Sequence, residues 1–201
     1  MKLITVTDDR MTENKLVHTL LHIEPYVSAI ILREKSKSEE TLKMIIETLY
    51  KNKFDLRKLI IHGNRHLAIS TGINRVQLPN NAPPINGIKL EYPQLSLGRS
   101  IHSIDNVAEP VDWLLYGHIY KTACKKGIMP RGLKALREIT FHAHCPVYAI
   151  GGIKPEHVQS IRDAGAAGIA VMSSIFGVAK PEKAAKEYAK ACEVSIHDSI
   201  C

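Results

Sequence analysis

Two apolar segments near the C-terminus constrain this chain more than anything else in it. Pro146-Val147-Tyr148-Ala149-Ile150 runs straight into Gly151-Gly152. Sixteen residues after Gly152 a second segment begins, Gly168-Ile169-Ala170-Val171-Met172, and runs into Ser173-Ser174. Between them Lys154-Pro155-Glu156 opens a helical stretch that ends near Asp163-Ala164-Gly165-Ala166. Short unbroken apolar runs separated by a helix are the pattern of parallel strands covered on both faces. Glycines at a strand end let backbone N–H groups approach an anion with no Cβ in the way, and a helix start behind them favours negative charge. Two such strand ends in succession match the phosphate site after strands seven and eight of a (β/α)8 barrel.

The rest of the chain keeps the same alternation. Strands are predicted over residues 3–7, 29–33, 58–62, 75–78, 95–100 and 111–118, followed by 145–150 and 168–172. Helical spacing is carried by Leu16, Leu20 and Ile23, and by Leu42, Ile45, Ile46 and Leu49 after a capping Ser38. Shorter helices are predicted over 66–70, 103–108 and 132–139, and a closing one over 184–193; residues 80–87 read as a loop. Eight such units close into a barrel, whereas five or six would leave an open doubly wound sheet. The fold class is therefore α/β, a compact TIM barrel forming one domain over 1–201. At 201 residues its helices and loops must be brief, and residues 194–201 read as a flexible tail.

Charge and cysteines narrow the partners. The net charge is +7, but the basic residues are scattered and aromatics make up only 5%, so no nucleic-acid surface is read here. An anionic small substrate accounts for part of that charge. No apolar run is long enough to span a membrane, and the N-terminus lacks a signal-peptide pattern, which predicts a cytoplasmic protein without membrane contact. Cys124, Cys145, Cys192 and Cys201 show no CxxC spacing, and the ten histidines form no HExxH. The sequence thus predicts no metal centre and no cofactor. A homo-oligomer is permitted but not specified.

In a barrel, chemistry gathers where strands end at the C-terminal face. Those ends carry Thr7 and Asp8, then Arg33, Glu34 and Lys35, then His62, Asn64 and Gln77, then Ser100, His102 and Ser103, then His118, and finally Gly151, Gly152, Val171, Met172, Ser173 and Ser174. The set is polar, basic and rich in histidine, as a cup for an anion flanked by proton-transfer groups would be. Arg33 can fork onto a carboxylate or phosphate and Lys35 can serve as a point charge. His118 follows Gly117 at the end of an apolar strand, where an imidazole would enter the mouth; it is the candidate acid–base residue. Lys125 is a further candidate for holding an anion, and its charge beside Cys124 would favour the thiolate.

Several short motifs in register resemble the thiamine phosphate synthase superfamily over about residues 1–190: Thr5-Val6-Thr7-Asp8, Leu32-Arg33-Glu34-Lys35, Gly98-Arg99-Ser100-Ile101-His102-Ser103, Gly117-His118-Ile119-Tyr120-Lys121-Thr122, Ala149-Ile150-Gly151-Gly152-Ile153 and Gly168-Ile169-Ala170-Val171-Met172-Ser173. In the synthases, an Asn-Asp pair after strand three and a His-x-Gly-Gln-x-Asp run after strand four hold magnesium against a pyrophosphate leaving group. Here those stretches read Ile61-His62-Gly63-Asn64 and Val76-Gln77-Leu78-Pro79-Asn80-Asn81-Ala82, without the aspartates. The departures, with His118 after Gly117, are similar to the TenI branch of thiazole tautomerases. That resemblance implies an isomerase that aromatises a carboxylated thiazole phosphate by metal-free proton transfer at His118. It also implies that Arg33, Lys35, His62, Ser100, His102, Ser103, Lys125 and the glycine and serine strand ends hold the substrate. The alternatives are a synthase-type transferase and a non-catalytic binder of thiamine precursors.

Overall fold

Eight parallel strands close into a barrel in sequence order in the computed structural model, which describes residues 1–125 and 127–193, the side chain of Cys124 excepted. They are β1 (Lys2–Val6), β2 (Ala29–Leu32), β3 (Leu59–His62), β4 (Arg75–Leu78), β5 (Ser96–Ile101), β6 (Trp113–Gly117), β7 (Val147–Ile150) and β8 (Gly168–Val171). Closure is made by β1 on β8, with Lys2 opposite Gly168 and Thr5 opposite Val171. The (β/α)8 expectation holds. The expected tail at 194–201 lies outside the described residues, as does the Cys124 thiol.

Helices cover the outside: α1 (Glu13–Ile23), α2 (Glu39–Lys51), α3 (Arg65–Ser70), α4 (Ile85–Glu91), α5 (Gly132–His142), α6 (Val158–Asp163), α7 (Ser173–Phe176) and α8 (Pro181–Glu193). Ser38 caps α2 as its sequence suggests, its Oγ accepting from the Thr41 N–H at 3.2 Å. Three local readings change. The stretch 80–87 is only half loop, because Pro84 leads directly into α4. The expected helix over 103–108 shrinks to a single 3-10 turn, Ile104–Asn106. The four-residue α7 follows β8 at once and carries the Ser173-Ser174 pair. None of the described helices is long and apolar enough to cross a membrane.

Strand pleat sorts the side chains into two cores. Leu3, Ile30, Leu32, Leu59, Ile61, Leu97 and Leu114 face outward and pack against the helices. Ile4, Val6, Ala29, Ile31, Ile60, Trp113, Leu115, Tyr148 and Ala170 fill the barrel interior. That alternation decides the site. Two residues beyond an inward Ile31, Ile60 or Gly98, the same face carries Arg33, His62 or Ser100 into the mouth. Glu34 and Arg99, one residue out of phase, point elsewhere.

Candidate active site

A cavity of about 480 Å³ opens at the C-terminal ends of the strands. Its floor is the top of the interior core: Val6, Ile31, Leu115, Ile150 and Ala170. Arg33, His62, Ser100, His102, His118, Lys125, Gly151, Gly152, Val171, Met172 and Ser173 all line it. Lys35 and Ser103 do not. Lys35 is exposed beyond the end of β2. The Ser103 hydroxyl donates to Asp105 Oδ2 at 2.7 Å and so serves its own turn. The cavity also takes in Gln77, Asn80, Thr122 and Ser174. Gln77 stands at a strand end in the sequence; its part in the site follows from the inward phase of β4.

The β7–β8 side is built from backbone. Beyond β6 the chain continues alongside β7, with Ile119 N donating to Ile150 O at 3.0 Å and Tyr120 N to Gly151 O at 2.9 Å. Gly151 and Gly152 have φ of 101° and 66°, a region that disfavours any side chain. A Cβ on Gly152 would meet the carbonyl oxygens of Tyr120 and Lys121 at 2.5 Å, and one on Gly151 would meet His118 Cβ at 2.3 Å. The glycine pair is thus required first by the strand that packs over it. Free first-turn amides come in addition: Ser173 and Ser174 open α7, where N–H groups lack intrahelical acceptors.

The β2–β3 side is built from side chains. Thr7 Oγ1 accepts from Arg33 N at 2.8 Å and fixes the end of β2. Arg33 makes no ion pair among the described residues. The neighbouring Glu34 is buried and bonded to Lys37 Nζ at 2.6 Å, a pair that ties the β2 turn to Asp9 and Met11 instead. His62 stands beside these cations. Burial, then the charges of Arg33 and Lys35, push its pKa down to about 4, so the imidazole is neutral near pH 7. His102 Nδ1 donates to Gly117 O at 2.8 Å, and His118 is buried with Nε2 3.3 Å from Ile128 O. The peptide bond between Gly117 and His118 is cis.

A third group lies under the β4–β5 rim. Trp113 Nε1 donates to Gln77 Oε1 at 2.7 Å, and Gln77 Nε2 donates to Ser100 Oγ at 3.1 Å. The indole packs over Gly98, where an added Cβ would lie 1.9 Å from Nε1. Outside the barrel Arg99 bonds Glu109 and the carbonyls of Asn80 and Ala82, holding the loop after β4 against the wall.

These strand ends have counterparts in known proteins. A family model described as thiamine monophosphate synthase matches residues 3–175. The chain belongs to the thiamine phosphate synthase family. Among curated relatives, a thiamine-phosphate synthase of Pyrococcus abyssi is 30% identical over 199 residues, covering 96% of this chain and 95% of that protein. A second from Pyrococcus furiosus shows the same identity and coverage. The solved thiamine phosphate pyrophosphorylase of Pyrococcus furiosus superposes with a TM-score of 0.78 at 25% identity, over 96% of this chain and 95% of that one. A 3-hexulose-6-phosphate synthase, at 18% identity and a TM-score of 0.70, shares the fold. The synthase relatives overturn the expectation of an isomerase: proteins matching this chain over nearly its whole length are named for a synthase. The thiazole tautomerase reading is withdrawn.

The synthase family implies magnesium, and the donor set at the matching positions does not fit it. After β3 and β4 the cavity offers His62, Gln77 and Asn80, with no carboxylate, whereas a hard dication wants several oxygen anions. Asn64 is spent as the cap of α3, accepting from Leu67 N at 2.9 Å and donating to Glu39 at 2.9 Å. Asp8, at the end of β1, is buried with both carboxylate oxygens lacking hydrogen-bond partners, but it does not line the cavity. Among the described residues no three His, Cys, Asp or Glu side chains gather into a metal-binding group.

Proposed function

We propose that this chain is a transferase of the thiamine-phosphate synthase type, joining a pyrimidine carried on pyrophosphate to a thiazole phosphate. One observation carries the reading. A single cavity holds two separate regions suited to anions, the backbone-built β7–β8 side and the side-chain-built β2–β3 side, above a shared apolar floor. Two phosphorylated substrates need two such regions, and the cavity lies within the roughly 300–1,000 Å³ usual for small-molecule sites.

In this reading the thiazole phosphate rests on the N–H groups around Gly152 and Ser173. Its ring lies on the floor with the nitrogen turned toward the second substrate. The pyrophosphate of the pyrimidine meets Arg33, with Lys35 and Lys125 adding positive potential from the rim. The thiazole nitrogen then forms a bond to the exocyclic carbon of the pyrimidine. The carbon–oxygen bond breaks, and pyrophosphate leaves with the electron pair. Cations already in place where that charge develops lower the barrier without rearrangement. No proton is released by the coupling, so His118 and His102 act as walls held by Ile128 O and Gly117 O.

Purified protein given both substrates tests this directly, with thiamine phosphate followed by chromatography. Product above a no-enzyme control is expected. Its absence at every magnesium concentration tried, with both substrates bound, would overturn the reading and favour a non-catalytic binder of the same precursors.

A further inference from the structure

The metal that the family would use and the residues found here disagree in sign as well as in number. Among the described residues no Asp or Glu side chain lines the cavity. Glu34, next to Arg33, is bonded to Lys37, and Glu39 is held by Asn64 and Lys43. What stands in the mouth instead is basic. β2 and β3 run in register with Leu32 opposite Ile61, so Arg33 and His62 leave their strands side by side, and both line the cavity. A dication brought to that wall meets positive charge with no carboxylate to offset it, and an anion meets the reverse.

His62 also differs from the other two imidazoles of the mouth. His102 and His118 each meet the backbone carbonyl of another residue. The half-buried His62 ring bonds to no other side chain among the described residues. After burial, the charges of Arg33 and Lys35 keep it neutral. β4 sets only the uncharged Gln77 opposite it, and Arg65 and His66 at the start of α3 turn to Tyr92. A polyanion drawn in by Arg33 would cancel the charges that keep the proton off.

We propose that this site meets pyrophosphate without a divalent metal, and that His62 takes a proton from solvent as the anion binds, adding a third positive charge to those of Arg33 and Lys35. The proton returns to solvent when pyrophosphate leaves, so the coupling itself neither gains nor loses one. A neutral imidazole has one donor and one lone pair, whereas the protonated ring has two donors and suits an acceptor-only ligand. That the anion is pyrophosphate rests on the transferase reading; the match between an anion and this wall does not.

Inorganic pyrophosphate is the probe, added to the full chain with a chelator present. Nitrogen NMR follows the imidazole rings near pH 6, where the unliganded His62 is neutral, and His62→Gln identifies its signals. Pyrophosphate should bring the two ring nitrogens of His62 to the common shift of an imidazolium. His62→Gln should weaken pyrophosphate binding about tenfold near pH 6, as loss of a charge-assisted bond implies, and by less than about twofold near pH 9, where the wild-type ring is neutral as well. Excess magnesium should leave the wild-type affinity unchanged or lower it, because the metal competes for the anion in solution. A His62 ring that stays neutral with pyrophosphate bound would overturn the proposal, as would tighter binding on addition of magnesium. Product formed only in the presence of magnesium would overturn it too and leave the transferase reading standing. A protonated His62 without product, both substrates being bound, would sink the transferase reading and leave the anion site in place.

Discussion

The two sides of the mouth do comparable work by different means. At β7–β8 the chain uses backbone, and the glycines that expose it are also the only residues that fit beneath the 118–121 segment. At β2–β3 it uses long side chains on a rim whose backbone is already satisfied by Thr7 and by the Glu34–Lys37 pair. Fold and function are therefore fused on one side and separable on the other. A substitution at β7–β8 should be felt as instability, and one at β2–β3 as lost affinity.

The sharpest way to break this contrast is Gly152→Ala. Its Cβ would meet two carbonyl oxygens at 2.5 Å in a backbone region that resists side chains. A loss of about 3 kcal/mol or more is expected in denaturant unfolding. A variant as stable as the wild type would show that the 118–121 segment yields, and the two sides would then not differ in kind. Next comes Arg33→Met, which should weaken inorganic pyrophosphate binding roughly 30-fold, the order expected for a charge-assisted bond, while moving stability by less than about 0.5 kcal/mol. Calorimetry and unfolding on the same sample decide it; a large stability change with intact binding would reverse the assignment.

His62 sharpens the comparison through pH. Its folded pKa of about 4 lies below the ordinary 6.5. The unfolded chain therefore binds the extra proton first as pH falls. The contribution of the neutral ring is complete above about pH 6.5 and is lost progressively toward pH 4. Because the ring is partly open to solvent, about 1–2 kcal/mol is expected over that window. His62→Gln should flatten the stability profile between those values; an unchanged slope would place its origin elsewhere. The smallest effect belongs to Ser103→Ala. That hydroxyl serves Asp105 outside the cavity, so pyrophosphate affinity should stay within about twofold of wild type.

What the sequence discloses follows the same division. Apolar runs and the glycine pair made the barrel and its β7–β8 side readable, because buried parallel strands and left-handed backbone each restrict residue type severely. The helix over 103–108 failed because Ser103 caps nothing, its hydroxyl going to Asp105, and only Ile104–Asn106 close a 3-10 turn within the 102–112 connection. Lys35 and Ser103 were drawn in by proximity in the chain; the end of β2 leaves Lys35 outside the cavity, and pleat phase turns Ser103 away from it. The Trp113–Gln77–Ser100 chain was hidden for a different reason. It joins three strands, and its existence depends on cross-barrel register that no local pattern encodes. Arg99 stands one residue out of phase with Ser100 in β5, and its outward side chain is a clasp for the loop after β4.

The Trp113–Gln77–Ser100 chain has one practical consequence. Trp113 is the sole tryptophan of the chain, and its N–H ends two bonds from the surface on which a ligand would rest. The molecule thus carries its own optical reporter. Any occupant that pulls on the Ser100 hydroxyl or dries the floor should alter the emission of that indole, so occupancy can be titrated on the unlabelled protein by fluorescence alone.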